Sequence, residues 1–452
     1  MASPVTRPST AAPRLALIAH PDPQAIAAYR RGQPVSAGEF LRDIVAAAAA
    51  LPDARHVLNL CSDRYRFAVT LLAAIARGQT TLLPPATTPN VIRSLKALAP
   101  DAYYIADDAG VAVDLPRVDY PQSDGAEGAF TVPAIPADQV VAYVFTSGST
   151  GEPQPHPKTW GGLVADIRGE AARLGIGAGH AILGTVPPQH MYGFESTVLL
   201  PLLSGAALTA ERLYLPAEID AAIERLPAPR TMFTTPFHLR AWIANPDAAR
   251  IETLVCATAP LSADLAREAE ARTGARLFEI YGCTEAGQVA TRRTATTVEW
   301  TLLEGLRLRE HDGQAIVSGG HVEQPTPLQD LIEIRGDGAH FILHGRFADM
   351  VNIAGKRNSL GYLNQQLASI PGVKDGVFFI PDDGAPDGVT RLTAFAVAPG
   401  LTSREIIAAL RERIDPAFVP RPLHLVAALP RQPTGKLPRE ALRALAAQLK
   451  KK

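Results

Sequence analysis

Up to about residue 350, short apolar runs bounded by turn residues alternate with alanine-rich stretches of helical spacing. HVLNLC (56–61) and TTLLPP (80–85) are predicted as buried strands, and RYRFAVTLLAAIARG (64–78) between them as a helix that stops at Gly78. VAYVFT (141–146), TMFTTP (231–236), TLVCAT (253–258) and RLFEIYG (276–282) have the same strand character. Helices are predicted over PAEIDAAIERLP (216–227) and SADLAREAEARTG (262–274). Such alternation predicts an α/β fold, a large N-terminal domain of layered, mostly parallel sheets with helices. DLIEIRGDGAHFILHGR predicts a hairpin turning at Gly336-Asp337-Gly338. Beyond it the texture becomes α+β: a helix, DGVFFI, TRLTAFAV, a helix from Ser403 and a proline-rich tail. The boundary is placed at about 346, giving domains 1–346 and 347–452.

Composition adds little beyond exclusions. With 452 residues, 47% hydrophobic, 20% charged and a formal net charge of −1, the chain reads as an ordinary globular protein of two or three domains. That balance lacks the basic excess that binding to nucleic-acid phosphates requires. Cys61, Cys256 and Cys283 are widely spaced and suit a reducing compartment better than a disulfide framework or a zinc site. The apolar stretch LALIA near the start is too short for a signal segment or a membrane span, so the expected location is cytoplasmic.

The chemistry begins where a strand runs out. Thr146-Ser147-Gly148-Ser149-Thr150-Gly151 packs hydroxyls and glycines directly after VAYVF, a composition that lets backbone N–H groups close around an anion. The lysine of the common phosphate loop is missing, because Glu152 and Pro153 follow Gly151, and this disfavours a P-loop NTPase. A phosphate-binding loop here must draw its cation from elsewhere in the chain.

Four further segments follow in order: PPQHMYG (187–193), CATAPLS (256–262), YGCTEAG (281–287), and LQDLIEI with GRFADMVNIAGKRNSLG (328–361). LPRQPTGKLPREAL (429–442) closes the series. Together with TSGSTG they resemble the acyl-adenylate-forming superfamily of acyl-CoA synthetases, aryl-acid ligases, adenylation domains and luciferases. The resemblance implies a ligase dependent on ATP and Mg²⁺. A carboxylate attacks the α-phosphate of ATP and expels pyrophosphate, and a thiol then displaces AMP from the acyl-adenylate. It also implies that the missing cation is Lys436, carried on a small mobile C-terminal domain. A cation about 4 Å from the developing charge is worth about 4 kcal/mol at an effective dielectric near 20.

Position by position, the resemblance places Thr146, Ser147, Gly148, Ser149, Thr150 and Gly151 around the β- and γ-phosphates. It puts Thr284 at the α-phosphate, Glu285 on Mg²⁺, and Tyr281 with Ala257, Thr258 and Ala259 at the adenine. Asp330 and Arg346 fall to the ribose. His190, Tyr192, Phe194, Phe237 and Gly282 would line the acid pocket, aromatic and small groups suited to a flat or slender apolar acid. Phe347 and Ala348 would form a hinge that brings Gly355 against the site for thioester formation. Taken singly, Glu285 and Asp330 read equally as turn carboxylates, Tyr281 as a core aromatic and Lys436 as a solvated lysine.

The chain departs from the family pattern at several points. Gln154 stands where a lysine is common, with Lys158 nearby as a substitute. CATAPLS replaces a glycine pair, Leu328-Gln329 replaces Thr-Gly, and NSLGYLN after Arg357 lacks the usual glutamates. The resemblance therefore leaves the acceptor open. One reading is a ligase loading an aromatic acid such as a hydroxybenzoate onto an acyl carrier protein, as in aryl-polyene or xanthomonadin-type pigment pathways. The alternatives are an acyl-CoA synthetase for an aryl or fatty acid and a non-catalytic nucleotide-binding subunit.

Overall fold

The computed structural model describes residues 12–121, 130–147, 153–353, 356–380, 392–432 and 437–450. They form two compact units. The first comprises Met1–Leu183, Pro187–Arg212 and Arg225–Ala228, and the second Gly184–Val186, Leu213–Glu224 and Pro229–Lys452.

In the first unit the strands Val140–Ser147, Thr80–Leu83, His56–Asn59, Tyr103–Ala106 and Arg117–Asp119 lie side by side and run parallel. Parallel strands are covered on both faces and so read as unbroken apolar runs. Leu58, Leu82, Tyr104 and Phe145 accordingly share one buried cluster with Ile92 and Leu95 of the helix Pro89–Leu98. The connecting helices carry local start signals. Ser36 and Glu39 close a capping box on Ala37–Ala50, and the Asp63 carboxylate accepts from the Arg66 N–H to start Arg64–Ala76. Trp160–Leu174 is capped by Thr159 and ends on left-handed Gly175. Ala181–Gly184, Ala207–Thr209, Ile26–Arg30 and Gln33–Ser36 form a second run of neighbouring strands.

The second unit is the more mixed. Arg230–Thr234, Thr253–Cys256 and Arg276–Cys283 are parallel. Gly287–Arg292, Glu299–Leu302, His340–Arg346 and Asp330–Ile334 then continue antiparallel. The antiparallel half and the small sheet Leu306–His311, Gln314–Gly319, Val322–Pro327 lie outside the expected parallel pattern. Short hairpin connections suffice there, so no helices intervene.

From residue 350 the chain is α+β: a hairpin of Met350–Ile353 and Lys356–Ser359, helices Leu360–Ala368, Ser403–Arg411 and Arg439–Lys450, and the sheet Asp375–Phe379, Thr393–Val397, Leu423–Leu425. This part has its own buried cluster, including Leu363, Leu367, Phe378, Ile406 and Phe418. The fold is thus a large N-terminal α/β domain followed by a smaller C-terminal α+β domain. Among the described residues, no helix is long and apolar enough to cross a membrane.

Candidate active site

Thr146 is the penultimate residue of the strand Val140–Ser147. Its Oγ1 lies 2.9 Å from His156 Nε2 on the antiparallel strand Pro153–Thr159. Ser147 is the last residue of Val140–Ser147. Gly148, Ser149, Thr150 and Gly151 lie outside the described residues, as do Gly355 and Lys436.

His190 is the half-buried residue before the short helix Met191–Gly193. Tyr192 and Phe194 follow, both buried, and the backbone passes into a π-helical stretch, Phe194–Leu199. A Cβ on Gly193 would fall 2.0 Å from the Pro187 carbonyl oxygen, so only glycine allows this chain path. Gln189 Nε2 donates to the Cys61 carbonyl at 2.6 Å and holds the same turn to the strand end that bears Cys61. Arg64, fully buried, donates from Nε to Thr197 Oγ1 at 3.0 Å and from Nη1 to the Thr209 and Glu211 carbonyls. Burial and the nearby Asp107 carboxylate push the Cys61 thiol up to about 12, so it is neutral and unreactive at ordinary pH.

In the second unit, Ala257, Thr258 and Ala259 follow the strand Thr253–Cys256. Thr258 has φ 76°, left-handed backbone that is unusual for a β-branched side chain. Such a conformation at Thr258 is held at the cost of local strain. Tyr281 is buried, its ring 5.7 Å from Trp300 and 5.8 Å from Phe341, and its hydroxyl donates to Asp330 Oδ2 at 2.7 Å. Asp330 and Arg346 are direct cross-strand partners in the hairpin, placing the two expected ribose residues opposite each other. Gly282 sits at a register shift; a Cβ there would be 2.4 Å from the Gly287 carbonyl oxygen. Thr284 and the exposed Glu285 occupy the turn between Arg276–Cys283 and Gly287–Arg292. The exposed Glu285 carboxylate is the hard oxygen donor that Mg²⁺ prefers, and such ions take one or two carboxylates plus phosphates rather than a full protein cage. No group of three or more His, Cys, Asp or Glu that could hold a metal occurs among the described residues.

Phe237 is 49% exposed, with its ring 5.5 Å from His238. Phe347 and Ala348 lie in a 3₁₀ turn, Phe347–Asp349, directly after the hairpin. Three features escaped the sequence reading: His156 at Thr146, the buried arginine Arg64, and the buried carboxylates Asp166, Glu170 and Glu195. Each depends on a contact across the fold, and none has a local signature.

Residues 18–327 match the AMP-binding enzyme family, and the chain belongs to it. It is an acyl-adenylate-forming, AMP-forming acid–thiol ligase that uses ATP. Among curated relatives, the 4-coumarate–CoA ligase of Rhodobacter capsulatus is 31% identical over 291 residues, covering 63% of this chain and 71% of its own. The 4-coumarate–CoA ligase of Halorhodospira halophila is 29% identical, covering 65% of this chain and 73% of its own. Among solved structures, ATP-bound MatB from Rhodopseudomonas palustris superposes with TM-score 0.80 at 18% identity, covering 95% of this chain and 97% of its own. The o-succinylbenzoate CoA synthetase of Bacillus subtilis, solved with its acyl-adenylate, gives 0.79 at 17% identity, with 94% and 96% covered. At those identities the structural likeness speaks for the fold.

Proposed function

We propose that the chain is an acyl-CoA synthetase for an aromatic carboxylic acid, activating it as the acyl-adenylate and passing it to the pantetheine thiol of CoA. The observation that carries this reading is the 31% identity to a 4-coumarate–CoA ligase. The aromatic and small residues of the proposed acid-binding set, His190, Tyr192, Phe194, Phe237 and Gly282, agree with it.

In the first half-reaction a carboxylate oxygen of the acid bonds to the α-phosphorus while the bond to the bridging oxygen breaks and pyrophosphate leaves. Thr146 and Ser147, with the glycine–hydroxyl loop to Gly151, hold the departing phosphates. Thr284 donates to the α-phosphate. Asp330, oriented by the Tyr281 hydroxyl, accepts from the ribose hydroxyls beside Arg346, and Ala257, Thr258 and Ala259 edge the adenine. Glu285 would hold Mg²⁺, which supplies charge neutralisation for the polyphosphate. Lys436, on the domain 347–452, neutralises the developing charge at the α-phosphate. In the second half-reaction the thiol sulfur bonds to the acyl carbon, AMP departs and the thiol proton passes to solvent. Rotation at Phe347-Ala348 would withdraw Lys436 and bring in the Gly355 loop.

A second reading keeps the chemistry and changes the acceptor. The Thr-Ser-Gly-Ser-Thr-Gly-x-Pro-x-Pro run and the short interval between Glu285 and Asp330 resemble stand-alone ligases that load an aryl acid such as a hydroxybenzoate onto an acyl carrier protein. Pyrophosphate exchange over benzoic, hydroxycinnamic and fatty acids, followed by thioester formation with CoA and with holo carrier protein, separates the two. Exchange with an aromatic acid and product with CoA is expected. Product with carrier protein alone would transfer the assignment to the second reading, and no exchange with any acid would overturn both.

A further inference from the structure

Three donors from different parts of the second unit converge on one buried side chain that the reaction above does not use. Glu279 lies in the strand Arg276–Cys283, two residues before Tyr281, and is 4% exposed. Its Oε1 accepts from the Leu261 N–H at 3.1 Å. Its Oε2 accepts from Thr294 Oγ1 at 2.6 Å and from Arg292, Nε at 2.8 Å and Nη2 at 2.7 Å. Register explains the convergence. Glu279 is the direct partner of Cys256 on the parallel strand to one side and of Arg292 on the antiparallel strand to the other. A buried carboxylate is tolerated only where donors engage it, and here both oxygens are engaged.

The two oxygens serve two parts of the nucleotide segment. On the Oε1 side, Leu261 is fully buried and closes the stretch Ala257-Thr258-Ala259-Pro260. At the other end of that stretch the Ala257 N–H donates to the Thr234 carbonyl at 3.4 Å. Between the two fastenings stands Thr258, at φ 76°. A β-branched residue persists in left-handed backbone only where its surroundings over-determine it. The bond from Leu261 to Glu279 is such a restraint, three residues on, and Ser262 then caps the helix Ala263–Thr273. On the Oε2 side, the Arg292 guanidinium lies 4.4 Å from the Trp300 ring centroid. Trp300 stacks with Phe341, and both rings pack against Tyr281.

We propose that Glu279 is a positioning residue for the nucleotide: through the Leu261 N–H it holds the adenine-edge segment 257–259 in its strained path, and through Arg292 and Trp300 it steadies the Tyr281 ring. The carboxylate touches no substrate and acts only through these neighbours. The proposal rests on the placement of adenine at Ala257, Thr258 and Ala259 in the reading above.

The test uses the full chain, with ATP affinity measured by calorimetry and KM for ATP by pyrophosphate exchange with the best acid of the panel. Glu279→Gln is close to isosteric, but whichever way its amide turns, an N–H donor faces another donor. It raises KM and Kd for ATP about tenfold, with KM for the acid within about twofold, the loss of one hydrogen bond to a charged group. Glycine adopts φ 76° without strain, so the segment then needs no fastening. In a Thr258→Gly background, Glu279→Gln should therefore raise Kd for ATP no more than about threefold over Thr258→Gly alone. A residue that merely stabilised the fold would give the same factor in both backgrounds. That outcome, or an unaltered Kd in folded Glu279→Gln, overturns the proposal. Should Glu279→Gln not fold, Arg292→Lys takes its place: it keeps the charge and loses the fork geometry. It raises Kd about threefold with Thr258 present, and an unaltered Kd there overturns the proposal too. If no acid supports exchange, the functional reading falls by itself, while calorimetry with ATP alone still decides the role of Glu279.

Discussion

Replacing Tyr281 by phenylalanine removes one oxygen and leaves the ring in place against Trp300 and Phe341. Apolar burial is therefore conserved, and the perturbation isolates the 2.7 Å hydrogen bond from the phenol to Asp330 Oδ2. Both partners are buried, at 9% exposure each. A hydrogen bond to an ionised acceptor contributes about 1.5–3 kcal/mol. If that bond holds the carboxylate in the orientation that accepts the ribose hydroxyls, its loss is felt as ATP binding. At about 1.4 kcal/mol per factor of ten, KM for ATP rises about 10- to 150-fold. KM for the acid should stay within about twofold, and kcat at saturating ATP should change less than KM. Pyrophosphate exchange with ATP and acid varied separately measures all three, and circular dichroism confirms that the variant is folded. A folded Tyr281→Phe enzyme with an unaltered KM for ATP would refute the assignment of Asp330, oriented through Tyr281, to the nucleotide.

Two further outcomes follow from the geometry. Gly282→Ala places a methyl 2.4 Å from the Gly287 carbonyl oxygen and 3.0 Å from Gln288 Cα, both backbone. It should cost about 3 kcal/mol in a denaturant titration and abolish exchange; a variant as stable as wild type would show that the bulge relaxes freely. Stability should also fall on acidification between about pH 6.5 and 5, ahead of general carboxylate protonation. Burial lowers the pKa values of His20 and His238 in the folded chain. Their unfolded values lie near 6.5, so below that pH the unfolded state binds protons that the folded state refuses. The slope from each histidine is at most about 1.4 kcal/mol per pH unit. Glu195, whose carboxyl is raised, contributes with the opposite sign, favouring the folded state as pH falls. The decisive comparison is therefore between wild type and His20→Gln, whose denaturation midpoint should depend less on pH in this window; identical pH profiles would refute the assignment.

The parts of the fold legible in the sequence were those where burial is two-sided. Val140–Ser147, Thr253–Cys256 and Arg276–Cys283 read as strands because each is an apolar run flanked by turns. The small sheet from Leu306 to Pro327 was not legible, because strands such as Leu306–His311 alternate buried and exposed residues and then end in exposed charge, a weak pattern at this length. Strand direction was less legible for a related reason: apolar content reports burial, whereas direction is set by connection length. In the candidate site, motif residues could be placed by position, and Asp330 and Arg346 are register partners across the hairpin. Thr146 was equally visible, but the histidine that holds its hydroxyl was not, since a strand with three prolines argues against itself.

That last failure has a general physical content. Proline is excluded from strands only where its missing N–H would break a ladder, and an edge strand has a side with no ladder to break. Pro-Gln-Pro-His-Pro-Lys therefore specifies more than a turn-rich loop does. Strict alternation assigns every proline to the unpaired side and every polar residue to one face. Directly after a glycine–hydroxyl loop, such a run names an edge strand whose polar face looks onto the strand leading into that loop.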